Sequence, residues 1–168
     1  MRSLLRGRRV YIDTNVFVYV AVRHPDFYTA CRDVLEALVE EEYVGYGSHL
    51  VLFELFGSLS RVSVEAAYEA SMAYLDLPLR MLHLDREALI LARDIAKLSH
   101  TTYDAVHAAL AARGGVQVVV TEDLDDWGRI ASVWSKVRRR HRVGELRVVS
   151  PTRGNYVVIG ELEKTRTE

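Results

Sequence analysis

The sequence predicts a single α/β domain in which a central parallel sheet of four or five strands is covered by helices on both faces. Short apolar runs alternate with longer amphipathic segments along the chain, a pattern typical of parallel sheets because parallel strands need long crossover connections. The length of 168 residues suits one domain with a sizeable core. Neither an internal repeat nor a low-complexity linker divides the chain, so we expect residues 1–168 to form one unit.

The predicted strands are short apolar runs, and two of them end at acidic residues. Arg8 to Ile12 stops at Asp13, and Gln117 to Thr121 runs into Glu122 and Asp123. The other predicted strands are Tyr43 to Gly47, Leu79 to Leu84, Glu145 to Val149 and, at an edge, Val157 to Glu163. Ligands of parallel α/β sheets bind beyond the carboxyl ends of the strands. The acids at these two strand ends therefore mark the expected site.

Helices are predicted between the strands from capping residues and from apolar residues at helical spacing. Asp13 or Thr14 caps the first helix, and Thr101 or Thr102 caps the one that carries Asp104. The predicted helices are Thr14 to Val22, Phe27 to Glu42, His49 to Arg61, one capped by Ser63, Arg86 to Leu98, and one that runs to Arg113. Residues 122–144 form a charged segment, and Pro151 to Tyr156 is predicted to be a turn.

The composition limits the class of protein. Hydrophobic residues make up 49% and charged residues 27%, as in ordinary soluble globular proteins. The net charge of −1 means that nucleic-acid binding would depend on a local patch. Cys31 is the single cysteine, which excludes a disulfide framework and favours a reducing, cytoplasmic setting. No apolar run approaches membrane-spanning length, so we expect no membrane association.

Two acids stand at positions that a functional site would use. Asp13 directly follows the first strand, although helix capping explains it equally well. Glu54 interrupts the apolar helix His49 to Arg61, and its neighbours on the same face are apolar or small. A solvent-facing stripe would carry charges three and four residues apart, so Glu54 is expected to be partly buried. A buried carboxylate requires a cation or a proton.

Two further acids have ordinary explanations when each is considered alone. Thr101 and Asp104 have the spacing of a capping box, and an acid in the first helical turn favours the helix dipole. Asp123 can cap a short helix over Leu124 to Gly128. All four acids together instead predict a metal site, because clustered carboxylates raise one another's pKa values unless cations bind.

Oxygen ligands of this kind suit a hard cation such as Mg²⁺. Two such ions would clamp the attacking and leaving oxygens of a phosphodiester. Asn15, Thr14 and Thr121 lie beside the acids in the sequence and are expected to orient carboxylates or hold water. The sequence thus predicts a metal-dependent nuclease.

The ordered set Asp13-Thr14-Asn15, Glu54, Tyr103-Asp104-Ala105 and Thr121-x-Asp123 resembles the signature of PIN-domain ribonucleases, and in particular of the VapC-type toxins of prokaryotic toxin–antitoxin pairs. The resemblance covers a core of about residues 9–151. It implies a Mg²⁺- or Mn²⁺-dependent endoribonuclease, often a homodimer, with an antitoxin protein as partner. It also implies that Asp13, Glu54, Asp104 and Asp123 gather at one end of the sheet as catalytic metal ligands.

The sequence departs from the family pattern after Asp123. The family often has a second Asp two residues on, followed by Phe, whereas this chain reads Asp123-Leu124-Asp125-Asp126-Trp127. Asp125 fits by spacing and Asp126 by its place before an aromatic residue, so both are candidate metal ligands. Residues 128–144 exceed what a minimal PIN domain needs and are predicted to be a basic insertion, and residues 157–168 a C-terminal extension.

One concentrated basic run lies in this insertion. A solvated helix face with Trp134 in the core is the simpler interpretation, and the alternative is that the run neutralises RNA phosphates, with Trp134 stacking on a base. The candidate RNA-binding residues are Lys136, Arg138, Arg139, Arg140 and Arg142. His100 and His107 lie four and three residues from Asp104. We expect them to pack or face solvent rather than to bind metal.

Two other functions remain open at the level of sequence. One is a PIN nuclease outside a toxin system that processes RNA or cuts DNA. The other is a catalytically silent PIN-like subunit that binds a partner, which the presence of all four acids disfavours. A dehalogenase-type phosphotransfer domain would need Asp-x-Asp, whereas this chain has Asp13-Thr14-Asn15.

Overall fold

The computed structural model describes residues 1–156, so the predicted edge strand Val157 to Glu163 and the C-terminal extension lie outside the described residues. The described strands are β1 (Arg9–Ile12), β2 (Val44–Ser48), β3 (Arg80–Leu82), β4 (Val118–Val120), β5 (Arg147–Ser150) and β6 (Asn155–Tyr156). The described helices are α1 (Arg2–Leu5), α2 (Thr14–Ala21), α3 (Tyr28–Val39), α4 (His49–Ser60), α5 (Val64–Asp76), α6 (Arg86–Ser99), α7 (Tyr103–Arg113) and α8 (Leu124–His141).

The six described strands form one sheet in the order β3-β2-β1-β4-β5-β6. The first five are parallel, which confirms the predicted parallel sheet, and β6 is antiparallel to β5. The short strand β6 was not predicted, since the sequence indicated only a turn there. β1 lies between β2 and β4, so the chain order reverses on its two sides. Such a switch point opens a crevice at the carboxyl ends of the strands, where ligands bind.

The central strands are buried on both faces, as helix-covered parallel strands are. Val10, Tyr11 and Ile12 of β1 and all three valines of β4 have no exposed surface. Tyr11 is thus a polar side chain at the centre of the core, and its hydroxyl needs partners there.

Most predicted helix starts are confirmed by their caps. The side chains of Ser48, Ser63 and Asp85 each accept a hydrogen bond from a backbone N–H three residues on. The start of α7 differs. Thr102 caps this helix without a side-chain hydrogen bond, and the Thr101 hydroxyl bonds the Ser99 hydroxyl at 2.8 Å instead. The capping-box explanation of Asp104 is therefore wrong.

The charged segment 122–144 contains one long helix rather than a short turn of helix. α8 runs from Leu124 to His141, and Ile130, Trp134 and Val137 pack in the core. Trp134 is 5% exposed, and its Nε1 donates to the carbonyl of Gly144 at 3.1 Å. Trp134 therefore lies in the core, as the simpler interpretation of the basic run predicted, and it is not accessible for stacking on a base. The boundaries of the predicted insertion and extension stay predictions.

None of the helices in residues 1–156 has the length and apolar character needed to cross a bilayer.

Candidate active site

A cavity of about 440 Å³ opens at the carboxyl ends of β1 and β4, between α2, α4 and α7. The four acids singled out in the sequence line it: Asp13, Glu54, Asp104 and Asp123. Carboxylate oxygens of Asp104, Asp123 and Asp126 lie within 4.8 Å of one another. The fold thus brings to one place acids that are more than a hundred residues apart in the chain.

Asp13 is the most tightly held of these acids. It is 4% exposed, and as the cap of α2 its Oδ1 accepts from the backbone N–H of Thr14 at 2.7 Å. Its Oδ2 accepts from Asn15 Nδ2 at 2.9 Å, Thr121 Oγ1 at 2.7 Å and Trp127 Nε1 at 3.0 Å. Capping and membership of the acidic site are therefore not alternatives here, because one carboxylate does both.

Thr121 and Asn15 connect the turn after β1 to the turn after β4 through hydrogen bonds. Thr121 Oγ1 accepts from Asn15 Nδ2 at 2.8 Å and from the backbone N–H of Asp123 at 2.9 Å, while it donates to Asp13. Asn15 Oδ1 accepts from the backbone N–H of Glu122 at 3.1 Å. These bonds fix the position of Asp123 relative to Asp13 before any ligand arrives.

Asp126 lies in the acidic group and Asp125 does not. Asp123 caps α8 by accepting from the backbone N–H of Asp126 at 3.1 Å, which starts the helix with Asp126 on the cavity side and Asp125 exposed to solvent. Asp126 also pairs with Arg129 one helical turn on. The helix geometry distinguishes two residues between which the sequence left the choice open, because spacing favoured Asp125 and the following aromatic residue favoured Asp126.

Asp104 is the acid with excess negative charge around it. Burial, the charge of Asp13, a hydrogen bond to Asp126 and the charge of Asp123 raise its pKa to about 7, against an opposing effect of His107. Burial and neighbouring carboxylates favour the protonated form of Asp104, and a bound cation would instead stabilise its ionised form. The oxygen-rich set therefore fits a hard divalent ion.

Glu54 reaches the same cavity from α4 and is held by two donors. Thr14 Oγ1 donates to its Oε2 at 2.5 Å, and His107 Nε2 lies 2.9 Å from the same oxygen. Burial raises the pKa of Glu54, but the hydrogen bonds from His107 and Thr14 outweigh it, and the net shift is downward. Burial lowers the pKa of His107, and the bond to Glu54 raises it more. Glu54 is therefore ionised at neutral pH.

The sequence did not identify two residues that contact the acids. His107 is buried, as expected of a packing histidine, but both of its ring nitrogens are hydrogen-bonded, one of them to Glu54. Trp127 follows Asp126, and its indole N–H donates to Asp13. The available signal for Trp127 was its place directly after the acids, because a buried Trp carries a donor that needs an acceptor.

The basic run lies at the far end of α8 from the acids. Its candidate residues are all exposed: Lys136, Arg138, Arg139, Arg140 and Arg142. Asp126 and Arg138 are 12 positions apart (138 − 126) on the same helix, which corresponds to about 18 Å along its axis. Arg140 also pairs with Asp94 on α6 at 3.3 Å. These side chains do not contact the cavity.

Comparison with known proteins identifies relatives over most of the chain. The sequence model of the PIN domain matches residues 10–133. Ribonuclease VapC46 of Mycobacterium tuberculosis is 27% identical over 145 residues, which span 85% of this chain and 98% of that protein.

Solved structures share the fold. A DNA-bound VapBC structure from Salmonella typhimurium superposes with a TM-score of 0.60 at 21% identity, over 88% of this chain and 98% of that one. VapC20 of Mycobacterium tuberculosis, described as a sarcin-ricin loop cleaving toxin, gives a TM-score of 0.59 at 18% identity, over 71% of this chain and 93% of that one. At these identities the superpositions establish a common architecture.

Proposed function

Since the chain belongs to the PIN-domain family, we propose that it is a metal-dependent endoribonuclease that hydrolyses RNA phosphodiester bonds as the toxin of a toxin–antitoxin pair. The observation that carries this proposal is the convergence of Asp13, Glu54, Asp104 and Asp123 on one cavity at the switch point of the sheet. Similarity over 85% of the chain to a protein named as a ribonuclease supports RNA as the substrate.

Asp104, Asp123 and Asp126 would hold the divalent ion, Mg²⁺ or Mn²⁺, with Asp13 and Glu54 as the other acids of the cavity. Asp126, rather than Asp125, is the fifth acid of the proposal. A bound ion of this kind lowers the pKa of coordinated water and stabilises charge on the phosphate. Asn15, Thr14 and Thr121 keep the carboxylates of Asp13 and Glu54 in fixed orientations by donating to them or to each other. Fixed orientation matters because ligands that are already in place need no reorganisation during the reaction.

The exposed residues Lys136, Arg138, Arg139, Arg140 and Arg142 are proposed to bind RNA phosphates outside the cleavage site. Their separation from the acids implies an RNA that extends about 18 Å beyond the scissile bond. Neutralising them should weaken RNA binding and reduce its salt dependence without changing the acidic site.

The antitoxin is proposed to bind an apolar groove on the opposite side of α2 and α4. This groove has a volume of about 650 Å³, and its lining includes the exposed Val22 and Val62 beside the half-buried Val20 and Ala70. Exposed apolar surface of this kind is typical of protein interaction sites. A homodimer, which rests on the family resemblance, and a cytoplasmic place of action, which rests on the single cysteine, complete the proposal.

The first test is cleavage of labelled tRNA, ribosomal RNA fragments and single-stranded DNA with Mn²⁺, with Mg²⁺ and with EDTA, beside an Asp104→Asn control. We expect metal-dependent cuts in RNA that are absent in EDTA and in the control. Cuts in DNA alone would overturn the RNA assignment. Silence of the wild type across the panel, with metal still bound, would favour a PIN-like binding subunit instead.

A further inference from the structure

A chain of buried hydrogen bonds connects Glu54 with the centre of the core. His107 Nε2 lies 2.9 Å from Glu54 Oε2, and His107 Nδ1 lies 2.7 Å from the Tyr11 hydroxyl. The Tyr11 hydroxyl lies 2.9 Å from Ser48 Oγ, the cap of α4. His107, Tyr11 and Ser48 are each 1% exposed or less. The chain therefore joins the helix that carries Glu54 to the central strand and to α7 without passing through solvent.

Every donor in this chain of hydrogen bonds has an acceptor when the hydroxyl hydrogens of Ser48 and Tyr11 point toward Glu54. The backbone N–H of Val51 donates to Ser48 Oγ at 3.3 Å, Ser48 Oγ then donates to Tyr11, Tyr11 donates to His107 Nδ1, and Nε2 donates to Glu54. Nε2 donates to Glu54 in both the neutral and the charged ring. The contact with Glu54 thus depends on where the ring is held rather than on its charge.

Core packing alone does not account for these side chains. Phe at position 11 and Leu at position 107 would fill similar space without desolvating a hydroxyl and an imidazole, and buried polar chains of this sort bring fixed geometry rather than net stability. Both donors to Glu54, His107 Nε2 and Thr14 Oγ1, contact the same oxygen, Oε2. Within residues 1–156 no donor contacts Oε1 of Glu54, which is the oxygen left for a ligand in the cavity.

We propose that His107 and Tyr11 are positioning residues. Tyr11 fixes the imidazole ring of His107, and the ring holds Glu54 with one carboxylate oxygen turned to the cation in the cavity. This inference rests on the proposed metal-dependent function and adds the residues that orient Glu54. Outer partners that orient metal ligands typically account for 10–100-fold in metal affinity or activity.

The test measures Mn²⁺ affinity of the metal-free protein by calorimetric titration, together with kcat and KM for cleavage of an RNA that the wild type cuts. The variants are Tyr11→Phe, His107→Leu and His107→Gln. Tyr43→Phe is the matched control, because it removes an equally buried hydroxyl that donates to the carbonyl of Val34, remote from Glu54. Melting temperatures in EDTA identify a temperature at which every variant is folded.

We expect His107→Leu to weaken Mn²⁺ binding by about 10–100-fold and to lower kcat with little change in KM. Tyr11→Phe should have a smaller effect in the same direction, and His107→Gln should recover part of the loss because its amide can donate to Glu54. Tyr43→Phe should lower the melting temperature while leaving Mn²⁺ affinity unchanged.

Wild-type Mn²⁺ affinity and kcat in both Tyr11→Phe and His107→Leu would overturn the positioning role while leaving the nuclease proposal in place. An equal loss in Tyr43→Phe would overturn it too, because the effect would then be one of general stability. A wild-type protein that neither binds Mn²⁺ nor cleaves RNA would overturn the proposed function, and the positioning role with it.

Discussion

The two walls of the acidic cavity are built differently. The strand wall, formed by the turns after β1 and β4, holds Asp13 with four donors and ties Asp123 to it through Thr121. The helix wall, formed by α4 and α7, presents Glu54 and Asp104 on helix faces, and the pKa of Asp104 is raised to about 7. Asp13 on the strand wall is thus satisfied by the protein itself, whereas Asp104 on the helix wall carries charge that needs a counterion.

This difference indicates a division of roles between the walls. A carboxylate with four protein donors stabilises the fold, so its removal costs stability even without metal. A carboxylate crowded by other carboxylates destabilises the metal-free fold. Such a charge therefore indicates a role in binding a ligand rather than in stabilising the fold. The predictions below test that division, in order of decreasing effect on cleavage.

The largest contrast is expected between Asp13→Asn and Asp104→Asn in EDTA. Asp13→Asn replaces an accepting oxygen by a donor that faces other donors, and we expect it to lower the free energy of unfolding by about 3 kcal/mol, or roughly 6–12 °C in melting temperature. Asp104→Asn removes a repelled charge and should raise the melting temperature. Both variants should lose cleavage by more than about 100-fold, because a ligand matters more than its outer partners.

Thermal melts in EDTA beside cleavage assays decide this prediction. Equal destabilisation by the two substitutions would show that the walls do not differ in the way proposed. The isosteric Asn keeps side-chain volume constant at both positions, so packing does not confuse the comparison.

A second contrast uses the two tryptophans of α8. Trp127→Phe keeps an aromatic ring in the core but removes the donor to Asp13, so we expect a loss of about 1.5–3 kcal/mol in stability and of about tenfold in cleavage rate. Trp134→Phe is the control, because it removes a donor to the carbonyl of Gly144 at the other end of the helix. It should cost stability without slowing cleavage.

Cleavage rates at saturating Mn²⁺, measured with melts on the same preparations, separate the two effects. If Trp134→Phe slowed cleavage as much as Trp127→Phe, the indole of Trp127 would have no special part in orienting Asp13.

The strand wall was largely predictable from sequence. On the helix wall the sequence singled out Glu54 and Asp104, but not the contact that holds Glu54. Asp13, Asn15, Thr121 and Asp123 follow apolar runs directly, so local signals place them at strand ends, and their mutual contacts follow from the pairing of β1 with β4. Placing His107 beside Glu54 requires a contact between residues 53 positions apart. No local pattern reports such a contact, because it depends on how α4 and α7 pack.

The errors in the sequence interpretation have local physical causes. The predicted capping box at Thr101 fails because the Thr101 hydroxyl finds Ser99 instead. The long helix α8 was obscured by its charged residues, although Trp127, Ile130, Trp134 and Val137 repeat at helical spacing. The sequence left both Asp125 and Asp126 as candidates. The start of α8 at Leu124 places Asp126 beside the other acids and Asp125 in solvent.

Asp104 should also make the stability of the metal-free protein depend on pH, an effect that is separate from cleavage. In the unfolded chain an Asp loses its proton near pH 4, whereas the folded pKa of Asp104 is raised to about 7. Between these values the folded state binds more protons than the unfolded state, so the free energy of unfolding falls as pH rises. Melts of wild type and Asp104→Asn in EDTA should therefore diverge between pH 4.5 and about 7, with the wild type becoming the less stable.

Mn²⁺ should reverse this trend. Metal ligands must be deprotonated to bind, so the stabilisation of the wild type by Mn²⁺ should grow over the same pH range and level off above about 7. Glu54 and His107, whose shifted pKa values also make stability depend on pH, are present in both proteins, so the difference curve reports the charge of Asp104 together with its coupling to His107. A difference curve that stays flat from pH 4.5 to 8 in EDTA would mean that Asp104 carries no excess charge, and the distinction between the two walls would then rest on hydrogen bonding alone.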